Sequence, residues 1–211
     1  MPFDMAFDFR STSGYVTDPS YAVPVLNEAY PHTYTNADGK SLNGGWDNPA
    51  SISKDDRRSD VDARIAGQNR NVTAFARTFT LDLSSGSAPG AGTYTIDWAL
   101  GDPDASSSVD FKLEDNGATL IDATNGGSGF SVANAHLLDA TLADNAASAS
   151  WAGATVSKTF STTTCQIVNN PDGLSLLSPI AHFRLTLQEA SSFNPAWAAR
   201  SNVILMPGRA A

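Results

Sequence analysis

The chain is poor in several things at once. It has one cysteine, four lysines and three glutamates among 211 residues, and no long uninterrupted apolar run. A lone Cys165 excludes an intrachain disulfide framework and a thiolate zinc cluster, and reads as a small buried hydrophobe. Scarce Lys and Glu, beside plentiful Thr, Ser, Gly, Asp and Asn, turn the expectation from helices to strands and turns. No segment approaches the ~18 apolar residues of a spanning helix, so membrane insertion is not expected. Positive charge is also short. Thirteen Lys and Arg face 22 Asp and Glu, and a net charge of -9 disfavours nucleic acid and anionic membrane surfaces as partners. The N-terminus lacks the basic and apolar regions of a signal peptide, so synthesis in the cytosol without export is expected. The sequon Asn71-Val72-Thr73 would then meet no glycosylation machinery.

Catalytic motifs are missing as well. Gly126-Gly-Ser128-Gly-Phe130 fails as a nucleophile elbow at its last position, and there is no His-Glu-x-x-His, phosphate-binding loop or dinucleotide fingerprint. His32, His136 and His182 lie far apart in sequence. Asp102 and Asp104 have the residue types of a glycosidase pair, but with 22 carboxylates such a pair arises by chance. The expectation is a protein without enzymatic activity and without a cofactor.

What is present is alternation. Phe7-Asp8-Phe9-Arg10 opens with period two, and Tyr21 to Leu26 reads as an extended edge segment around Pro24, which has no N–H to give. Asp38-Gly39 to Gly44-Gly45-Trp46 reads as a hairpin or long loop. Phe75 to Leu83 places its large residues at odd positions, with Arg77 the exception, and Tyr94 to Leu100 places them at even ones, with Trp98 in the core. Asn116-Gly117 between β-forming runs is a strong hairpin signal. A strand and loop are expected between Ser131 and Ala149, where the pattern weakens, and Trp151 is left open. Strands follow at Val156–Phe160 and Cys165–Val168, and at Ala181–Leu187 with Phe183, Leu185 and Leu187 inward and His182, Arg184 and Thr186 outward. Eight to ten strands at this spacing, without alternating helices, imply one all-β domain. The form expected is an antiparallel two-sheet jelly-roll β-sandwich over residues 1–189 with an extended C-terminal arm over 190–211.

Charge concentrates between Lys54 and Gly67, where eight of the first eleven residues are ionised. With signs mixed, the run is either a self-paired solvated loop or an anchor over a sheet end, where binding residues tend to lie. Asp55, Asp56, Asp60 and Asp62 have the oxygen chemistry of a structural calcium site, in competition with pairing to their own arginines. For a sugar, an aromatic face beside planar polar groups is needed. Trp46, Arg57, Arg58, Asn69 and Arg70 are the candidates, with Trp46 either exposed after its two glycines or a core plug.

The segment after Leu187 carries Phe193, Trp197, Ile204 and Leu205 without regular periodicity. It is expected either to fold back over its own sandwich or to dock on a neighbouring subunit, with these four residues as contacts.

Five stretches occur in a suggestive order: Phe7-Asp-Phe-Arg with Ser13-Gly-Tyr-Val-Thr-Asp-Pro; Gly45-Trp46; Asp56-Arg57 to Asp62-Ala-Arg-Ile-Ala-Gly67; Gly92-Thr-Tyr-Thr-Ile before Gly101-Asp102; and Ala181-His-Phe-Arg-Leu-Thr-Leu. Together they resemble the galactose-binding-like jelly-roll modules of bacterial and bacteriophage proteins, from Phe7 to about Leu187. The resemblance implies sugar binding by loops at one end of the sandwich and, in many members, a structural calcium ion. It also implies a setting: a non-enzymatic structural or adhesive protein of a phage virion (capsid decoration, head fibre or tail-associated). Its partners would be other virion proteins, copies of itself and host surface glycans. The rival expectation is a carbohydrate-binding module of a bacterial protein lacking its signal peptide.

Overall fold

The computed structural model describes residues 2–10, 22–56, 65, 67–102, 109–124, 136–146, 151, 153–173 and 178–188, leaving aside the side chains of 55, 56, 136 and 144–146. Fifteen strands occur among them: β1 Asp4–Phe9, β2 Ala22–Val25, β3 His32–Thr35, β4 Ser41–Trp46, β5 Ile52–Asp56, β6 Gly67–Asn71, β7 Arg77–Asp82 and β8 Gly92–Gly101. The series continues with β9 Phe111–Asp115, β10 Ala118–Ala123, β11 His136–Leu138, β12 Asp144–Ala146, β13 Val156–Phe160, β14 Thr164–Asn169 and β15 Pro179–Leu187. A single turn of 3-10 helix, Pro49–Ser51, leads into β5.

The strands form two sheets, one of nine strands with the path β12-β11-β8-β15-β1-β2 and one of six in the order β10-β9-β14-β7-β4-β3. Every pairing within them is antiparallel except β1 with β2. The long strand β8 organises the larger sheet, with β15 along one side and β13 then β11 along the other. Side chains alternate across each strand, so every second residue enters the space between the sheets. Phe7 and Phe9 from the larger sheet meet Tyr34, Trp46 and Phe79 from the smaller one, with ring centroids 5.2–6.2 Å apart. Aromatic pairs across the interior make this a β-sandwich with one principal core.

Several local expectations are met. Pro24 is exposed on β2, which pairs with β1 alone among the described strands. Asn116 and Gly117 both take positive φ (48° and 88°), the requirement of a two-residue hairpin turn between β9 and β10. Trp98 is in the core and Cys165 is buried, and Trp151, whose place the sequence left open, is buried in a smaller cluster.

Phe75 departs from the sequence expectation. It shares odd parity with the inward Phe79, Leu81 and Leu83, yet β7 starts only at Arg77 and Phe75 is 70% exposed in the loop before it. Periodicity carries a side chain inward only while the backbone remains a strand. The segment 190–211 lies outside the described residues.

Candidate functional site

The charged stretch belongs to a strand pair as well as to a loop. β5 and β6 are antiparallel, from Ile52↔Asn71 to Asp56↔Gly67, and β6 continues onto β15 through Arg70↔Pro179 and Asn69↔Ile180. Ile65 is fully buried with Ala99, Leu137, Trp151 and Ala181. Ala99 lies on the face of β8 opposite the core, so this cluster covers the outer face of the larger sheet. Arg57, Arg58, Asp60 and Asp62 lie outside the described residues. Asp55 and Asp56 are described only as backbone of β5. No group of three or more His, Cys, Asp or Glu side chains able to hold a metal ion occurs among the described residues.

Of the candidate sugar-binding set, Trp46, Asn69 and Arg70 are described, and Trp46 takes the second of the two places the sequence allowed it, a core plug. Trp46 is 0% exposed, its indole against Phe9 and Phe79 in the core, and so offers no stacking face. Its place follows from its pairing with Phe79 and from the bridge Ala29↔Trp46, which folds the chain over it. Gly45 permits that bridge, since a Cβ there would lie 2.6 Å from the Tyr30 nitrogen and 2.7 Å from the Ala29 carbonyl carbon, and its φ is +141°. Asn69 is buried and donates from Nδ2 to the Val25 carbonyl at 3.2 Å, tying β6 to β2. Arg70 is half-buried beside it. The contact residues Phe193, Trp197, Ile204 and Leu205 are outside the described residues.

A layer of buried and half-buried polar groups on the outer face of the larger sheet was invisible to periodicity. Asp4, Asp8 and Arg10 of the β1 segment share this face with Asp97 of β8 and with His182 and Arg184 of β15. Asp8 and Arg10 form an ion pair and are both almost wholly buried. Arg184 grips Asp4 with both ends of its fork, Nε to Oδ1 at 2.8 Å and Nη2 to Oδ2 at 2.5 Å, and Thr186 Oγ1 donates to the same carboxylate. Burial works to raise the Asp4 carboxyl, but the bonds and charge of Arg184, with Thr186 and Lys40, outweigh it and hold the group below its ordinary range. His182 is 2% exposed, with Nε2 3.6 Å from Asp97 Oδ2. Neither His182 nitrogen makes a hydrogen bond to a described residue, so no described hydroxyl or thiol is placed as a nucleophile against this histidine. Asp102, half of the carboxylate pair noted in the sequence, is buried and accepts from Gln68 Nε2 at 3.1 Å.

Asp115 is another buried carboxylate, on the smaller sheet. It accepts from the backbone and hydroxyl of both Ser161 and Thr162, the turn that carries the chain from one sheet to the other. Burial pushes its carboxyl up, and these four donors more than offset that, so it lies below its ordinary value of 3.8. A depressed carboxylate contributes stability above its unfolded value and loses it as pH falls through the folded one. The urea midpoint should therefore be flat near neutrality and fall as acid is added below about pH 4. Asp115→Asn should cost about 1.5–3 kcal/mol near pH 7, with the difference from the parent shrinking towards pH 2. Urea titrations of both proteins at a series of pH values measure this, and a gap independent of pH would remove Asp115 from the account.

Two surface features remain. On one side of the sandwich the edge strands β2 and β3 flank a groove of about 380 Å³. Val23, Pro24 and Leu26 form one wall and residues His32–Thr35 the other. Within it, Glu28 Oε2 accepts from Tyr34 Oη at 3.1 Å and from the Leu26 and Asn27 amides. Burial and then this carboxylate push the Tyr34 hydroxyl far above its ordinary range, so Tyr34 stays neutral and donates. The second feature is the loop between β6 and β7. Buried Asn71 accepts from the Thr73 amide and hydroxyl and donates to the Phe75 carbonyl at 2.7 Å, while Asn170 Nδ2 donates to the Thr73 carbonyl. These bonds hold a short loop that presents Val72 and Phe75 to solvent. Asn71, the acceptor position of the sequon, is fully buried within them.

No protein-family model and no curated protein sequence matches the chain.

Proposed function

We propose that the protein is a non-enzymatic structural and adhesive component of a bacteriophage particle, a capsid decoration, head fibre or tail-associated protein that works by binding. Host surface glycans are the ligand class, and the sandwich is of the galactose-binding-like, jelly-roll kind. The particle setting is supported by the ordered motifs from Phe7 to Leu187 that resemble such modules. The observation that carries the binding reading is Phe75. A large aromatic ring left 70% exposed on a loop pinned by buried Asn71 and Asn170 is a contact residue whose ordering cost has been met before the ligand arrives. Arg77, two residues on, adds a planar polar group that holds the Ala76 carbonyl at 2.8 Å. An exposed aromatic face with a guanidinium two residues along the chain suits the apolar face and hydroxyl rim of a sugar.

The test is a glycan array read with the parent and with Phe75→Ala. The parent should bind host surface polysaccharide. The variant should lose at least tenfold in affinity, from about 1.5–3 kcal/mol of lost burial, with its melting temperature unchanged because the ring is exposed in the free protein. Folded parent protein that binds no glycan would reject the adhesive part. Mass spectrometry of purified particles tests the setting, and glycan binding by a protein absent from particles would favour the second reading, a carbohydrate-binding module of a bacterial protein.

A further inference from the structure

We infer that the groove between β2 and β3 is the receiving site for the 203–206 segment of a second copy of this chain, which adds as a strand to the free edge of β3. The inference rests on the assembly reading above and names its partner and its contact.

The acceptor is built from edges. Among the described residues β3 pairs with β4 alone and β2 with β1 alone, so among these residues each sheet ends on this side in a strand with one edge open to pairing. Such edges bind extended peptides by main-chain hydrogen bonds, and pockets for alternate side chains set the specificity. Here the pocket is the groove. Val23 and Leu26 supply apolar wall, and the buried Tyr34 ring, packed against Phe7 5.5 Å away, closes the floor. The Glu28 carboxylate sits inside with Oε2 engaged and Oε1 without a partner among the described residues.

The donor matches in length, side-chain chemistry and charge. Val203-Ile204-Leu205-Met206 is a run of four apolar residues, two of them β-branched, and β3 is four residues long. In a strand, alternate members of the run would enter the groove. Arg200 and Arg209 lie three residues to either side and bring positive charge towards Glu28. Residues 1–188 carry 11 Lys and Arg against 21 Asp and Glu, a net of -10, whereas residues 190–211 carry those two arginines and no acid, a net of +2. Two such bodies repel face to face, and a basic arm bridging them offsets that repulsion. Among the described residues the core between the sheets is built by buried side chains of residues 3–185, and the acceptor groove lies outside it at the sheet edges.

Sedimentation of the full chain and of the full-length double variant Ile204→Asp with Leu205→Asp reads the association. The parent should show a concentration-dependent mass above its 22.1 kDa protomer, and the variant should remain a protomer with an unchanged melting temperature. Cysteine pairing reads the geometry, since the native Cys165 is fully buried with its thiol pushed up by burial and by Asp115. A chain carrying only Pro24→Cys, mixed with one carrying only Leu205→Cys, should give a disulfide-linked dimer on mild oxidation. A monomeric parent, association that survives the double variant, or a chain carrying both cysteines that closes on itself as a monomer would each overturn the inference. None of these outcomes bears on whether the protein is found in particles or binds glycan.

Discussion

Replacing Trp46 by alanine is expected to destabilise the sandwich by about 3–5 kcal/mol and to lower its melting temperature by roughly 6–20 °C, at about 2–4 °C per kcal/mol for a chain of this size. The indole fills the space between Phe9 of one sheet and Phe79 of the other, with centroids 6.2 and 5.3 Å away. Removing it leaves a cavity where the two sheets meet, and the surrounding rings are held by their own strands. Trp46→Phe should cost much less, because the indole N–H has no hydrogen-bond partner among the described residues and only volume is lost. Differential scanning calorimetry of the two variants checks the order and the size. An alanine variant that melts within a degree or two of the parent would put the ring back at the surface, where the sequence reading allowed a sugar-binding role.

That contrast shows what periodicity can and cannot read. Strands such as Tyr94–Leu100 and Cys165–Val168 were legible because alternate burial leaves its mark on every second residue, and the hairpin at Asn116-Gly117 because few residues accept its backbone angles. The strand β6, Gly67-Gln-Asn-Arg-Asn71, was not legible. Its buried residues are Gly, Gln and Asn, which hydrogen-bond instead of packing apolar surface, and it pairs with β15 over two residues only. Trp46 carried no periodic mark either, since glycines precede it and its inward direction is set by the distant partner Phe79. Phe75 had the opposite fault, a correct parity on residues that precede the strand.

The candidate site was legible only in part. The charged stretch was recognised as the place where the chain gathers ionisable groups, and its strands do join the edge of the larger sheet. The outward direction of His182 and Arg184 was also read correctly, but outward does not mean solvent at His182, which is 2% exposed. Ile65, Leu137 and Trp151 pack over that face against Ala99 and Ala181, and nothing local in β1 or β15 announces a cover supplied from residues so far away in sequence. The groove between β2 and β3 depends on which strands end the two sheets, a property of topology that neither segment carries by itself.

Arg10→Met is expected to cost about 3–5 kcal/mol, nearly as much as losing Trp46, because it removes the guanidinium that is ion-paired with the Asp8 carboxylate in a place water does not reach. The surroundings cannot relax cheaply. Gly67 of β6 lies so close that a Cβ there would be 2.6 Å from the Arg10 Cβ and 2.8 Å from the Phe9 carbonyl oxygen, so backbone packs directly against Arg10. Asp8→Leu alone should be similarly costly, since it leaves the guanidinium buried without that carboxylate. Together the two substitutions replace an ion pair by apolar groups, and the desolvation penalty disappears with the attraction it opposed. The double variant should then be more stable than the sum of the singles implies, by at least about 2 kcal/mol of coupling in a urea-unfolding cycle. Strictly additive costs would mean that the two charges are screened from each other by solvent and that the outer face of the larger sheet is open at this point.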